Sequence, residues 1–204
     1  MEESVRDAVK QVRQLQDIVA EQRAFRGFSG HARIISGAIA LAATAALSSD
    51  RMPPTPSAHL AVWGAVLAIA LALNFGALWH AFRRDPEYRR APSRMRPVLD
   101  VLPPLAVGGG LSLALILAGQ YDLLFGTWMA CYGLAHLAAR RALPPANAAI
   151  GLFYLASAAL QLLQRDRSFL NPWPMALAFF PGELAGGLVL ERVRRDARRP
   201  EAAA

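Results

Sequence analysis

The sequence predicts an all-α polytopic membrane protein with six transmembrane helices, arranged as three helical hairpins and preceded by a cytoplasmic amphipathic helix. Six apolar segments approach the length of about 20 residues that crosses the ~30 Å hydrocarbon core of a bilayer. Only 18% of the 204 residues are charged, against roughly 25% in a soluble domain. Most of the charged residues also lie apart from the apolar segments, at both chain ends and in short blocks between segments.

Residues 1–30 are predicted to form the cytoplasmic amphipathic helix. Their apolar residues recur at alternating steps of three and four, which is typical of a coiled-coil seam. The seam consists of Val5, Ala8, Val12, Leu15, Val19 and Gln22. Two interpretations stay open: the helix lies on the membrane or on the cytoplasmic loops, or residues 1–26 pair two copies or bind a protein partner. Gly27 and Gly30 then let the chain turn into the bilayer.

The six predicted spans fill residues 31–192, and a basic cytoplasmic tail follows at 193–204. The spans are Ile34–Leu47, Leu60–Phe82, Val98–Gly119, Leu123–Ala139, Ala146–Leu163 and Pro172–Leu190. The first span is short, so we expect His31 and Arg33 to lie in the headgroup layer. No cleaved secretory signal is expected, because the first thirty residues are polar, and the first span itself should direct insertion.

The arginines predict the orientation of the chain. With the N-terminus in the cytoplasm, all but three of the 22 basic residues fall on the cytoplasmic side. The exceptions are Arg51, Arg165 and Arg167. Basic residues near the ends of spans stay in the cytoplasm. We therefore predict a multi-pass protein of the cytoplasmic (inner) cell membrane with both termini inside.

The net charge of +7 does not predict nucleic-acid binding, because no basic helix interleaved with aromatic residues is free to enter a groove. The expected partners are membrane lipids, whose anionic headgroups attract basic residues near the surface. Three arginine pairs end the even-numbered spans and are predicted to make these contacts. The pairs are Arg83 and Arg84, Arg140 and Arg141, and Arg194 and Arg195.

An internal repeat predicts the three hairpins. Each arginine pair begins seven residues after a glycine, and these glycines are Gly76, Gly133 and Gly187. Two odd-numbered spans also open alike, with Leu-Pro-Pro ending six residues before Gly110 in one and before Gly151 in the other. All three hairpins have the same orientation, so they are parallel repeats.

The hairpins resemble a known family. Three short hairpins in about 200 residues, with Leu124–Leu134 similar in style to the family's second hairpin, resemble the HdeD-type acid-resistance membrane proteins. The resemblance covers the six spans only. It implies a small helical membrane protein tied to envelope stress, and it supplies no catalytic residue to transfer.

Glu183 is the main candidate for a functional residue, because it is an ionisable group near the middle of the last span. A carboxyl group there can be protonated and bind a neighbouring helix as a structural element. It can also face an inner cavity, find a partner and form a proton- or cation-responsive site. Asn74 and Tyr132 are the predicted companions of Glu183 in this intramembrane polar site.

His80 and His136 form a second candidate pair, because each follows a repeat glycine near the cytoplasmic end of its span. If the two approach one another, they could bind haem or sense cytoplasmic pH. The simpler interpretation is two histidines at the interface. No spacing of metal ligands is present, no cofactor is otherwise implied, and no phosphate-binding loop or nucleophile elbow predicts catalysis.

These observations favour a non-enzymatic integral membrane protein. We expect a role in regulation, stress response or assembly, exerted through the N-terminal helix and the Arg-rich cytoplasmic face. The first alternative is a transporter or channel with a polar mid-membrane site at Glu183. The second is a cofactor-binding membrane subunit that uses His80 and His136.

Overall fold

The computed structural model describes residues 6–7, 11–12, 28–84 and 96–198, and within them it contains helices, turns and no strand. The helices are α1 (Gly30–Leu47), α2 (Pro56–Arg84), α3 (Arg96–Leu117), α4 (Leu124–Ala138), α5 (Pro145–Leu163) and α6 (Trp173–Arg198). Short 3-10 turns, Tyr121–Leu123 and Ala139–Arg141, flank α4. The all-α prediction is confirmed for these residues.

Five of the described helices are long and apolar enough to cross a membrane: α1, α2, α3, α5 and α6. The fourth helix has 15 residues between its two 3-10 turns. The helical membrane protein predicted from the composition agrees with this finding. Apart from Val12, the predicted heptad seam lies outside the described residues, so the N-terminal helix stays a prediction.

The helices begin where the sequence offers capping groups. Ser29, Thr55 and Asn171 precede α1, α2 and α6, and the side-chain oxygen of each accepts a backbone N–H at 3.2, 3.4 and 3.2 Å. These bonds satisfy N–H groups that have no partner within the helix. Pro56 and Pro145 occupy first helical positions, where a missing N–H does no harm.

The helices pack in the spatial order α2, α1, α6, α5, α4, α3, with the most extensive contacts between α1 and α6 and between α4 and α5. Glycines allow the close approach of α4 and α5. A Cβ on Gly133 would lie 2.8 Å from the carbonyl oxygen of Gly151. Close backbone approach matters in lipid, because packing and hydrogen bonds there replace the hydrophobic drive between helices.

Helices α2 and α3 lie at the two ends of this order and are largely exposed. Only 6% of the most apolar window of each is buried, against 44% for α1 and for α6. Their exposed side chains are mainly apolar. In a lipid environment these faces need no protein partner, so the four helices α1, α4, α5 and α6 form the centre of the bundle.

An aromatic core lies at the end of the bundle where α2, α4 and α6 begin. Phe169, from the connection before α6, is 1% exposed, and its ring centroid lies 4.9 Å from that of Phe125. The backbone N–H of Phe169 donates to Asp122 Oδ1 at 2.7 Å. Trp63, on α2, contacts the Phe125 ring edge to face. This end is therefore packed by aromatic rings, and the polar side chains described next lie elsewhere.

Candidate functional site

A buried ion pair joins the first and last helices. The guanidinium of Arg33, on α1, donates from Nε to Glu183 Oε2 at 3.0 Å and from Nη2 to Glu183 Oε1 at 2.9 Å. Arg33 is 6% exposed and Glu183, on α6, is 3% exposed. The planar guanidinium suits this two-point contact with a carboxylate. Glu183 therefore has a partner of opposite charge inside the bundle, and the charge of Arg33 compensates that of the buried carboxylate.

Two tyrosines complete the coordination of the Glu183 carboxylate. Tyr132 on α4 donates its hydroxyl to Oε1 at 2.9 Å, and Tyr154 on α5 donates to the same oxygen at 3.1 Å. Their rings contact each other edge to face, with centroids 5.0 Å apart. Together with Arg33, four hydrogen bonds from three helices converge on one carboxylate.

The far side of the Arg33 guanidinium is also bound. Nη1 donates to Asn147 Oδ1 at 3.1 Å, and Nη2 lies 2.7 Å from His136 Nε2. The other ring nitrogen of His136, Nδ1, lies 3.0 Å from the carbonyl oxygen of Tyr132. A carbonyl only accepts, so these contacts assign the hydrogen to Nδ1 and leave Nε2 as an acceptor for Arg33. His136 is then a neutral imidazole.

The polar cluster, as these six residues are called below, links all four central helices and carries no net charge. Its members are Arg33, Tyr132, His136, Asn147, Tyr154 and Glu183. Glycines on α6 make room for it. A Cβ on Gly186 would overlap the Arg33 guanidinium, and a Cβ on Gly182 would overlap the Tyr154 hydroxyl. Gly182 and Gly186 are thus packing requirements of the cluster.

The polar cluster lies toward the end of the bundle where α1, α3 and α5 begin. Arg33 and Asn147 belong to the first turns of α1 and α5, and His136 belongs to the last turn of α4. This is the end that carries most of the arginines. The chain there is further fastened by a contact of 2.9 Å between His31 Nδ1 and Glu191 Oε1.

Of the predicted polar site, Glu183 and Tyr132 lie together, whereas Asn74 lies outside the polar cluster. Asn74 on α2 donates to Ser36 Oγ at 3.4 Å and to the carbonyl oxygen of Ala70 at 2.9 Å. Its amide therefore fastens α2 to α1. An interhelical hydrogen bond of this kind in a membrane contributes about 1 kcal/mol or less to stability.

The two candidate histidines have different surroundings. His80 is exposed near the end of α2, while His136 is buried in the polar cluster. A haem or metal site would require His136 to give up its contact with Arg33 or with the Tyr132 carbonyl. Within the described part of the chain, no three His, Cys, Asp or Glu side chains are grouped so as to hold a metal ion.

The prediction that the Arg33 side chain lies in the headgroup layer is wrong, because the side chain points into the bundle and pairs with Glu183. Sequence reasoning also missed Asn147 and Tyr154. Like Glu183, the residues Arg33, Asn147 and Tyr154 are polar side chains within or at the edge of an apolar span, and this is the signal that could have identified them. One arginine at the edge of an apolar span is the natural counter-ion for one glutamate within another span.

The arginines predicted to contact headgroups lie at helix ends on the side of the polar cluster. Arg83, Arg84, Arg140, Arg141 and Arg195 are exposed. Arg194 is partly buried, and its Nη2 donates to the carbonyl oxygen of Phe28 at 2.8 Å. That bond fastens the entry of α1 to the end of α6, so Arg194 has a structural contact in addition to any lipid contact.

Comparison of the chain with models of known protein families, with curated proteins and with solved structures gave no match. The resemblance to HdeD-type proteins stays a prediction. The function is therefore argued from the polar cluster and the surfaces around it.

Chemically, the polar cluster can bind helices together and can respond to protons. It holds one positive and one negative charge that compensate each other in apolar surroundings, where an unpaired charge is costly. Protonation of the carboxylate, or of the neutral His136 beside Arg33, would leave positive charge uncompensated.

Proposed function

We propose that the chain is a six-span protein of the cytoplasmic membrane, threaded as three hairpins with both termini inside. Contacts of α1 with α2, α3 with α4, and α5 with α6 support the hairpins. The helical stretch Tyr121–Arg141, which includes α4, rises about 34 Å at about 1.5 Å per α-helical and 2.0 Å per 3-10 residue. That length suffices for a ~30 Å core.

The topology can be tested with single cysteines, because Cys131 is the only cysteine of the chain. In a Cys131→Ala background, an impermeant thiol reagent applied to intact cells should label Ser49→Cys and Ser168→Cys. Arg141→Cys should react only after the cells are opened. Labelling of Arg141→Cys from outside would overturn the orientation.

The function we propose within this topology is non-enzymatic: regulation, stress response or assembly at the membrane. It acts through residues 1–26 and the Arg-rich face. The observation that carries the proposal is the enclosure of the Arg33–Glu183 pair by side chains of the chain's own helices. The Arg33–Glu183 pair is thus engaged in holding the bundle together, and the charged groups that remain exposed lie at the helix ends.

The N-terminal segment provides the test. Deleting residues 1–24 should reduce the oligomeric mass in detergent or remove co-purifying proteins. Val12→Asp, on the predicted seam, should have the same effect. Gln11→Asp introduces the same charge beside the seam and is the matched control, which should behave as wild type. An unchanged mass and unchanged partners in the deletion would refute this role.

A transporter or channel is the second candidate function, and the polar cluster itself favours it. Apolar residues of similar volume often stabilise a protein as well as a buried ion pair does. Ionisable residues inside a membrane bundle also commonly belong to ion or proton pathways. Proton and solute flux into liposomes should then differ between wild type and Glu183→Gln, with Tyr132→Phe as a milder variant. Absence of flux, or equal flux in all three, counts against transport.

A further inference from the structure

The exposed surface of α2 ends in an ordered group of aromatic and cationic side chains. Leu67, Leu71, Phe75 and Trp79 follow one another at steps of four residues, and all are 39–59% exposed. Side chains spaced by four form a ridge along one side of a helix. The next member of the series is Arg83. An apolar ridge about 18 Å long therefore leads to a cation.

The cation at the end of the ridge is held in place. The guanidinium of Arg83 lies over the indole of Trp79, 4.7 Å from the ring centroid, and Phe82 stacks on the same indole with centroids 6.2 Å apart. An arginine over an aromatic face is stabilised by the ring quadrupole. It also loses less conformational freedom when it binds an anion, because it is already ordered.

Two further cationic or hydrogen-bonding groups adjoin Arg83. His80 and Arg84 lie three residues before it and one residue after it, and both are exposed. Residues three or four apart are neighbours on a helix surface, so His80 lies beside both arginines. His80, Arg83 and Arg84 thus present several N–H donors at the foot of the apolar ridge. No acidic residue lies between Leu67 and Arg84.

The other two repeat ends lack this arrangement. In α4, counted from the repeat glycine, His136 takes the position of Trp79 and is engaged with Arg33 inside the polar cluster, while Leu137 takes the position of His80. In α6, Arg194 Nη2 donates to the Phe28 carbonyl oxygen, and Arg194 Nη1 lies 3.7 Å from Glu191 Oε1. Leu190 there takes the position that Trp79 has before Arg83. The end of α2 is therefore distinguished from its repeats by its aromatic support and its accessible donors.

We propose that the end of α2 is a binding site for one anionic phospholipid. An acyl chain packs along the ridge Leu67–Trp79, and the headgroup phosphate binds His80, Arg83 and Arg84. This deepens the proposed lipid-contacting role of the Arg-rich face, and it rests on that proposal because it needs the end of α2 at the bilayer surface. The apolar ridge favours a lipid over a free anion, because only a lipid matches both halves of the surface.

The test is native mass spectrometry of the full chain in mild detergent, titrated with phosphatidylglycerol or with phosphatidylcholine. Wild type should bind phosphatidylglycerol more tightly. Arg83→Gln with Arg84→Gln should weaken phosphatidylglycerol binding about 30-fold, equivalent to about 2 kcal/mol for two basic residues near the surface. Trp79→Leu should weaken it about threefold, because Arg83 loses its aromatic support.

The matched control is Arg140→Gln with Arg141→Gln, which removes the same charge from the equivalent repeat end. This variant should keep most of the affinity. Equal losses in the two double variants would indicate diffuse attraction and overturn the site. No preference for phosphatidylglycerol, or displacement of the lipid by millimolar inorganic phosphate, would overturn it as well. These outcomes leave the deletion of residues 1–24 to decide the proposed function separately.

Discussion

Removing the charge of Glu183 tests the polar cluster most directly. In Glu183→Gln the side chain keeps nearly the same shape and an oxygen for the two tyrosine hydroxyls, but Arg33 loses its counter-ion. We expect the free energy of unfolding to fall by about 3–5 kcal/mol. That range is typical when one partner of a buried ion pair is removed, because the other charge stays buried without compensation.

The geometry leads to the same magnitude. Arg33 makes two charge-assisted hydrogen bonds to the Glu183 carboxylate, at 3.0 and 2.9 Å. Hydrogen bonds to charged groups contribute about 1.5–3 kcal/mol each, and neutral ones about 0.5–1.5 kcal/mol. The variant loses the bond to Oε2 and keeps only a neutral acceptor for the other, which costs about 2–5 kcal/mol in total. Neutral interhelical bonds in membranes average about 0.6 kcal/mol. A cluster held only by neutral bonds would therefore lose far less.

The assay is equilibrium unfolding of the purified protein by added SDS in mild detergent micelles, followed by circular dichroism. Glu191→Gln is the matched control. It lies on the same helix and contacts His31, whose side chain is 75% exposed, at 2.9 Å. A pair with one exposed partner should contribute about 1 kcal/mol or less. Arg33→Met and the double variant with Glu183→Gln complete a mutant cycle, in which we expect a coupling of at least about 2 kcal/mol.

A small effect of Glu183→Gln on the free energy of unfolding would contradict this prediction. A loss below about 1 kcal/mol, or one equal to that of Glu191→Gln, would mean that Arg33 and Glu183 do not form a desolvated pair. A near-zero coupling in the cycle would lead to the same conclusion, even if each single variant were unstable for another reason.

Three further predictions concern packing and single hydrogen bonds. Gly186→Ala should destabilise the fold by about 1–3 kcal/mol, because its methyl group meets the Arg33 guanidinium. Gly110→Ala is the control and should not destabilise the fold, because its Cβ would meet nothing within 4 Å. SDS unfolding of both variants measures the difference. Tyr132→Phe removes one of the four hydrogen bonds to the charged carboxylate and should cost about 1.5–3 kcal/mol in the same assay. Asp122→Ala should cost about 1–3 kcal/mol by leaving a partly buried backbone N–H before α6 without its acceptor; faster amide exchange at the start of α6 would accompany it, and unchanged exchange would contradict the role of this bond.

The positions of the helices could largely be predicted from the sequence. Hydropathy placed the fifth span at Ala146–Leu163, and α5 is Pro145–Leu163. The first helix begins four residues before the predicted start, at Gly30, because Ser29 caps it. The last helix continues to Arg198, past the predicted end at Leu190. Charged residues can extend a helix beyond the apolar segment that hydropathy detects. The predicted helix ends are therefore less accurate than the predicted positions of the helices.

Part of the polar cluster could also be predicted. Glu183 and Tyr132 were identified because each is a polar group within an apolar segment, which is a property of the local sequence. Arg33 was assigned to the headgroup layer instead, because an arginine near a span end can reach the surface with its long side chain. Whether it does so depends on the helix beside it, and the sequence does not reveal that neighbour.

Hydropathy and residue order predict that this chain is helical and apolar enough for a membrane, and they indicate which of its residues would need a partner there. The partners themselves follow from the packing of the helices. Arg33 and Glu183 are 150 residues apart, and they meet because α1 packs against α6 while His136 and Asn147 enclose the guanidinium from α4 and α5. Lipid is as apolar as the helix surfaces, so hydrophobicity does not select neighbours. Close glycine contacts and hydrogen bonds do, and they exist only once the helices are side by side.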